Sequence, residues 1–194
     1  MRENKKYQLL EDDTIVRDGR TLYRIQALRD VRFRVEKDAV GGYVEKEANL
    51  SQEGPCWLFD EACAYEDARV EGTAALYDEA TLRGKAKLIE GASLWGKAIL
   101  QGEAQVGGVS SLDEQVVVGG KAILKGRVSL YKDVHVGGNA YLEGTDPNCD
   151  LVIQGTTMIH GTTIIQGYGL FSEKDAILEA GSFRIEEDED DEDD

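Results

Sequence analysis

The chain has 194 residues, enough for one domain, and its 22 glycines against 2 prolines fit a fold with many tight turns. It has no apolar run of the roughly 18 residues that a membrane-spanning helix needs, and its first residues lack the apolar core of a secretion signal. We therefore expect a cytoplasmic protein with no membrane partner. The formal net charge is −16, of which nine charges lie in residues 186–194.

The first predicted element is a β-hairpin. Residues 14–17 and 21–27 have strand-like composition and flank Asp18-Gly19, a dipeptide typical of two-residue hairpin turns. We expect residues 1–43 to form a cap over one end of the fold. The first 37 residues carry ten basic and seven acidic side chains, and this mixture does not predict direct nucleic-acid binding.

A six-residue repeat follows. An aliphatic residue recurs at every sixth position, a small residue follows it after four positions, and glycine often follows it after two. A period of six keeps these residues on one side of a strand but spreads them around an α-helix, so each repeat is predicted to be a short strand and a corner. The recurring aliphatic residues are Leu58, Ala64, Val70, Leu76, Leu82, Leu88, Leu94, Leu100, Val106, Leu112, Val118, Leu124, Leu130, Val136 and Leu142.

Three such strands make a coil of 18 residues, so the fold class is predicted to be all-β, a parallel β-helix over residues 44–185. The pattern resembles the hexapeptide-repeat proteins, which implies a single-stranded, left-handed, triangular solenoid. It departs from them in placing glycine two positions after the aliphatic residue, where that family more often has it one position after. The repeat breaks at residues 145–150, a loop that contains proline, and then resumes.

A second resemblance rests on the stretch GGYVEKEANLS at residues 41–51, on GPCWLFDEACAYEDARVEG shortly after it, and on the hairpin residues TLYRIQALRD. These residues resemble the YdcK-like β-helix proteins, a family associated with bacteria and prophages. The resemblance covers about residues 14–144 and implies a left-handed β-helix with an N-terminal cap. It implies little about activity, since that family is only loosely described as transferase-like, and the acidic end departs from its pattern.

Residues 18 positions apart stack on one face of such a coil, and one face is predicted to be rich in aromatic side chains. We expect this face to bury itself against a second copy, in a dimer or trimer, or against another protein, since tyrosine and tryptophan favour interfaces. The alternative is that the rings only stiffen the ladder. The predicted interface residues are Trp57, Phe59, Tyr77, Trp95, Asp113 and Tyr131.

The leading functional hypothesis is therefore a non-enzymatic scaffold or protein-binding module without a cofactor. An acyltransferase of the hexapeptide-repeat type is the enzymatic alternative. Such enzymes use a histidine as general base, and the two histidines, His135 and His160, are its candidates, with acyl-CoA as the cofactor. Binding of acyl-CoA and loss of activity in His135→Ala would distinguish it.

A third hypothesis is an acidic decoy for a nucleic-acid-binding protein, carried by the end of the chain. A block of like charges repels itself, so we expect it to be disordered, and its simplest role is solubility. Its residues are Glu186, Glu187, Asp188, Glu189, Asp190, Asp191, Glu192, Asp193 and Asp194. The three cysteines have no metal-ligand spacing, so we expect free thiols and no metal site.

Overall fold

The structure, a computed structural model, describes residues 5–31, 35–173 and 176–186. This part of the chain consists of strands, turns and one short 3₁₀ helix at Glu47–Asn49. The strands are β1 (Tyr7–Arg17), β2 (Arg20–Ala27), β3 (Val40–Val44), β4 (Trp57–Leu58), β5 (Cys63–Ala64), β6 (Arg69–Val70), β7 (Ala75–Leu76), β8 (Thr81–Leu82), β9 (Lys87–Leu88), β10 (Ser93–Leu94), β11 (Ile99–Leu100), β12 (Gln105–Val106), β13 (Ser111–Leu112), β14 (Val117–Val118), β15 (Ile123–Lys125), β16 (Val128–Lys132), β17 (His135–Val136), β18 (Tyr141–Gly144), β19 (Leu151–Gly155), β20 (Met158–Gly167), β21 (Gly169–Glu173) and β22 (Ile177–Ile185).

Consecutive coils pair in parallel and form three faces. Each aliphatic residue lies beside its counterpart 18 residues later, as Leu94 lies beside Leu112. We call the ladder β4–β7–β10–β13–β16–β19–β21 the aromatic face, β3–β5–β8–β11–β14–β17 the second face and β6–β9–β12–β15–β18 the third face. Strand β20 bends around a corner, because its first residues pair with β17 and its last with β18. The predicted all-β parallel β-helix with an N-terminal hairpin is confirmed.

The interior of the solenoid is built from the two recurring positions of the sequence repeat. The aliphatic residues from Leu58 to Leu142 are buried, and so are the small residues from Ala62 to Ala140. A small residue and the next aliphatic residue stand two positions apart on a strand, so both point inward. Removing this continuous column of apolar side chains from water is the main force that holds the coils together.

Apart from Lys132, the corner residues of the solenoid with positive φ are of two kinds. Glycine is one, as the repeat predicts. An acidic residue is the other, which the repeat does not predict: φ is 60° at Glu66 and 56° at Asp78. Their carboxylates accept hydrogen bonds from the N–H groups of Gly84 and Gly96, one coil further on, at 2.7 and 2.9 Å. These hydrogen bonds offset the strain that a side chain suffers in this backbone conformation.

The N-terminal segment covers the first coil. Strands β1 and β2 pair antiparallel across the turn at Asp18 and Gly19, whose φ angles of 48° and 74° are both positive, as the sequence predicts. Strand β2 pairs antiparallel with β3, and β3 pairs in parallel with β5. The cap is therefore continuous with the second face.

Two adjacent glycines let β3 lie directly against the first coil. A Cβ atom on Gly42 would lie 2.2 Å from the carbonyl oxygen of Ala62, and Gly41 is equally confined. Asn49, in the same stretch, is fully buried, and its side-chain amide donates to the carbonyl oxygen of Ala68 at 2.9 Å. The stretch on which the family resemblance rests therefore has a packing role, which is to seat the cap.

A buried lysine and a buried cysteine meet beneath the cap. The Nζ atom of Lys6 donates to the carbonyl oxygen of Cys56 at 2.9 Å and lies 3.2 Å from its Sγ atom. Burial lowers the pKa of Lys6 and raises the pKa of the Cys56 thiol, which favours the neutral form of each group. Cys63 is also buried and Cys149 is partly exposed, and all three cysteines are free thiols.

The break in the repeat is a loop between β18 and β19. Leu130 pairs with Ile153, 23 residues later, so the loop adds five residues to one coil. Asp150 fixes its end, because its carboxylate accepts hydrogen bonds from Arg127 Nε at 2.7 Å and from Ser129 Oγ at 2.5 Å. The next coil continues in register beyond the insertion.

A carboxylate in the hairpin turn ties the cap to the side of the solenoid. The hydroxyl of Tyr65 and the Nη1 atom of Arg83 both donate to Asp18 Oδ2 at 2.8 Å. These hydrogen bonds hold the pKa of Asp18 below its ordinary value, and the one from Tyr65 has the larger effect. The carboxylate therefore favours the folded state only while it is ionised.

We expect Asp18→Asn to lower the melting temperature at neutral pH and to have less effect in acid. The pKa of Asp18 is lower in the folded than in the unfolded state, so its stabilising effect is complete above about pH 4 and is lost as the pH falls through the lowered value. Melting curves of both proteins between neutral and acidic pH check this. A difference in melting temperature that does not change with pH would contradict it.

Candidate binding face

The aromatic face carries a ladder of outward side chains. On strands β4 to β19 of this face, the residue after the buried aliphatic residue points away from the interior, and on β21 Ser172 follows the partly buried Phe171. The parallel register places these residues above one another on successive coils. In order they are Phe59, Tyr77, Trp95, Asp113, Tyr131, Gln154 and Ser172.

The first three rings of this ladder form one stack. The ring centroids of Phe59 and Tyr77 are 4.7 Å apart with planes 1° from parallel, and those of Tyr77 and Trp95 are 3.6 Å apart at 6°. The indole N–H of Trp95 donates to Ser93 Oγ at 2.9 Å, which fixes the orientation of the ring. Each ring remains half-buried; Tyr77 has a ring on each face, whereas Phe59 and Trp95 each have a ring on one face.

Trp57 does not belong to this exposed surface. Its side chain lies outside the coil but is only 1% exposed, because the cap covers it. The Tyr7 ring packs edge-on against it with centroids 6.2 Å apart, and a Cβ atom on Gly41 would lie 2.6 Å from its Nε1 atom. The prediction that Trp57 is available to a partner is therefore wrong, since the cap occupies that position within the same chain.

A cleft of about 420 Å³ lies beside the stack. The cap contributes Val31 and Val35, which are joined by a hydrogen bond from the Val31 N–H to the Val35 carbonyl oxygen at 2.8 Å. The six-residue repeat does not predict this side of the cleft, because it depends on how a cap segment docks on distant coils. The other lining residues are Pro55, Phe59, Thr73, Ala75, Tyr77, Gly91, Ala92, Ser93 and Trp95, of which the small ones leave the space open.

The ladder is interrupted after Trp95. Asp113 occupies the outward position on the next coil and Tyr131 the one after it, and both side chains are half-buried. A carboxylate cannot continue a ring stack, so Tyr131 is separated from the other three rings. The predicted ladder is thus a stack of three rings, a gap at Asp113, and one further ring.

The two histidines lie away from the aromatic face, on neighbouring coils of the second face and β20. His135 Nε2 is 3.1 Å from Asp133 Oδ1, and its side chain is 39% exposed. The His160 ring lies over Gly137, where a Cβ atom would come within 3.3 Å of Nδ1. Neither histidine lines the cleft beside the stack. The catalytic hypothesis for His135 and His160 stays a prediction.

Of the acidic end, the structure describes Glu186, which accepts a hydrogen bond from Arg184 Nε. Residues 187–194 lie outside the described residues, so the predictions of a disordered tail and of an acidic decoy stay predictions. Across residues 5–31, 35–173 and 176–186, no three His, Cys, Asp or Glu side chains come together in a group that could hold a metal ion. Within the same ranges, no helix is long and apolar enough to span a membrane.

Comparison of the chain with protein-family models and with curated proteins gave no significant match. The resemblance to the YdcK-like proteins therefore stays a prediction that rests on the residues quoted for it. The candidate site is the aromatic face itself, with its stack of three rings, the adjacent cleft and the gap at Asp113.

Proposed function

We propose that this protein is a non-enzymatic scaffold that binds protein through its aromatic face, and that a second copy of the chain is a partner, giving a homo-oligomer. The observation that carries the proposal is the stack of Phe59, Tyr77 and Trp95, which remains half-exposed beside a cleft of about 420 Å³. Stacking fixes these side chains before any partner arrives, so little conformational entropy is lost on binding.

The composition of the face supports close contact with another protein. Ala75, Ser93 and Ser111 form a column of small side chains next to the rings, so a partner surface can approach the strands closely. Tyrosine and tryptophan are enriched in protein interfaces, whereas the charged side chains that dominate exposed surfaces are depleted there. Further along the same face, Leu170 is 57% exposed and offers a separate apolar side chain that a partner surface can bury.

We expect the wild-type protein to be a dimer or trimer in light scattering at micromolar concentration. The double variant Tyr77→Ser, Trp95→Ser removes two of the three rings of the stack. It should be a monomer with an unchanged β-sheet circular dichroism spectrum. Ile89→Ser is the matched control, because Ile89 occupies the equivalent outward position on the third face, and it should leave the oligomer intact.

Two results would overturn self-association through this face. One is a wild-type protein that is monomeric over the whole concentration range. The other is an oligomer that persists unchanged in the double variant.

A further inference from the structure

The gap in the aromatic ladder has a defined geometry. Trp95, Asp113 and Tyr131 hold the same outward position on three successive coils, since the N–H of Trp95 donates to the Leu112 carbonyl oxygen at 2.8 Å and that of Asp113 to the Leu130 carbonyl oxygen at 3.0 Å. Paired strands lie about 4.8 Å apart, so the backbones that carry the two rings are separated by about 9.6 Å. We call the space between Trp95 and Tyr131, above Asp113, the slot.

The slot has room for one flat group. Tyr77 and Trp95 stack with centroids 3.6 Å apart, and this shows the spacing that rings at this position adopt. Two such spacings, about 7.2 Å, are shorter than the backbone separation of about 9.6 Å, so a planar group at the level of Asp113 has room to stack on Trp95 below the position of Tyr131. One face of Trp95 is already covered by Tyr77, and its other face is directed towards the slot.

The carboxylate of Asp113 favours a positively charged group in the slot. Its Oδ1 atom accepts a hydrogen bond from the N–H of Glu114 at 2.6 Å, which fixes the orientation of the carboxylate. In the ladder itself, the carboxylate of Asp113 is the one charged group between the side chains of Trp95 and Tyr131. The net charge of −16 further favours the approach of a cation.

The guanidinium group of arginine fits this space. It is a planar cation, it stacks on aromatic rings, and it forms paired hydrogen bonds with a carboxylate. The lysine ammonium group is compact and rounded, so it cannot stack flat on an aromatic ring or form a paired hydrogen bond with a carboxylate in the same geometry. The indole N–H of Trp95 is already bonded to Ser93, so the ring offers its π face, which is the part that attracts a cation.

We propose that the slot formed by Trp95, Asp113 and Tyr131 binds the guanidinium group of an arginine side chain on a partner protein. The inference rests on the proposed function, because it uses the same face, and it adds the chemical identity of the group that the partner presents. The slot would bind an arginine side chain in the same way on a second copy of the chain and on a different protein.

The direct test is a titration of the full-length protein with an acetylated and amidated Gly-Arg-Gly peptide, followed by NMR at the Trp95 indole N–H and the Asp113 amide. Peptides with lysine or citrulline in place of arginine are the matched ligands, since citrulline keeps the flat shape but lacks the charge. We expect saturable binding of the arginine peptide, binding of the lysine peptide that is weaker by about threefold or more, and no saturation with citrulline.

Two variants locate the site. Asp113→Asn should weaken binding of the arginine peptide by about tenfold or more. Asp113→Tyr places a ring in the slot and completes the ladder, so it should abolish binding while the melting temperature stays the same or rises. Glu71→Gln is the control, because Glu71 is an outward acid at the equivalent position of the third face and should bind the peptide like the wild type.

Equal binding of the arginine and citrulline peptides, or binding that Asp113→Asn leaves unchanged, would overturn the inference. Failure of the inference and failure of the proposed function are separable. An oligomer that the Tyr77 and Trp95 substitutions dissociate, but that does not bind the arginine peptide, overturns the slot alone. A monomer that binds the arginine peptide selectively overturns self-association and supports the slot.

Discussion

Replacing Gly126 by alanine should lower the free energy of unfolding by about 3–5 kcal/mol. Gly126 lies at a corner with φ of +74°, a conformation that costs a residue with a side chain about 1–2 kcal/mol. The larger part of the loss in free energy comes from packing, because a Cβ atom on residue 126 would lie 2.1 Å from the carbonyl oxygen of Gly144 on the next coil. The backbones of Gly126 and Gly144 are each paired with a neighbouring coil, so neither can move away without separating two coils.

Gly19→Ala is the matched control for this prediction. Gly19 has the same φ of +74°, but a Cβ atom on it would meet no atom within 4 Å. We expect its cost to be limited to the backbone term of about 1–2 kcal/mol. Urea denaturation followed by circular dichroism gives both values. Equal losses in the two variants would mean that the contact between stacked corners has no energetic role.

The second large effect is expected at Trp57. Trp57→Ala should cost about 3–5 kcal/mol, because the side chain is fully buried between the cap and the first coil and its loss leaves a cavity. Tyr7 would lose its edge-on ring partner, so the N-terminal hairpin should also exchange its amide hydrogens faster. Chemical denaturation and hydrogen exchange of residues in β1 measure the two consequences.

Trp95→Ala is the control, since Trp95 is half-exposed and stacks on one ring. Its loss should cost about 0.5–1.5 kcal/mol of stacking and leave exchange in β1 unchanged. A larger destabilisation by Trp95→Ala than by Trp57→Ala would contradict the burial of Trp57 beneath the cap and the partial exposure of Trp95 on the aromatic face.

The interior of the solenoid could be predicted because it depends on local periodicity. A residue such as Leu94 is buried by its own position in the six-residue repeat, whichever coils lie above and below it. The hairpin turn at Asp18 and Gly19 was equally predictable, because its backbone conformation is encoded in two adjacent residues. Both predictions rest on information contained in a few consecutive residues.

The features that could not be predicted depend on contacts between distant residues. Trp57 fits the outward pattern of its coil, and its burial follows from the docking of Tyr7, 50 residues earlier. The cleft depends in the same way on where Val31 and Val35 lie relative to the stack. The register of the rings, by contrast, follows from the repeat, so the stack of Phe59, Tyr77 and Trp95 was predictable from an 18-residue spacing.

The acidic corner residues follow a pattern that is visible in the sequence. Asp78 stands at a glycine position of the repeat, and Gly96 follows it 18 residues later, so the carboxylate reaches the N–H group of the next corner. Glu66 and Gly84 repeat the arrangement. An acid in place of a corner glycine therefore indicates a hydrogen bond between coils, and part of the acidic composition has a structural role.

The central claim, that the aromatic face binds another polypeptide, is tested most directly by acrylamide quenching of tryptophan fluorescence at increasing protein concentration. Trp57 is only 1% exposed, so quenching reports on Trp95, at the open end of the stack. We expect Trp95 to become protected from acrylamide as the protein associates. Quenching of Trp95 that remains constant while light scattering records an oligomer would contradict it, because the interface would then lie on another face.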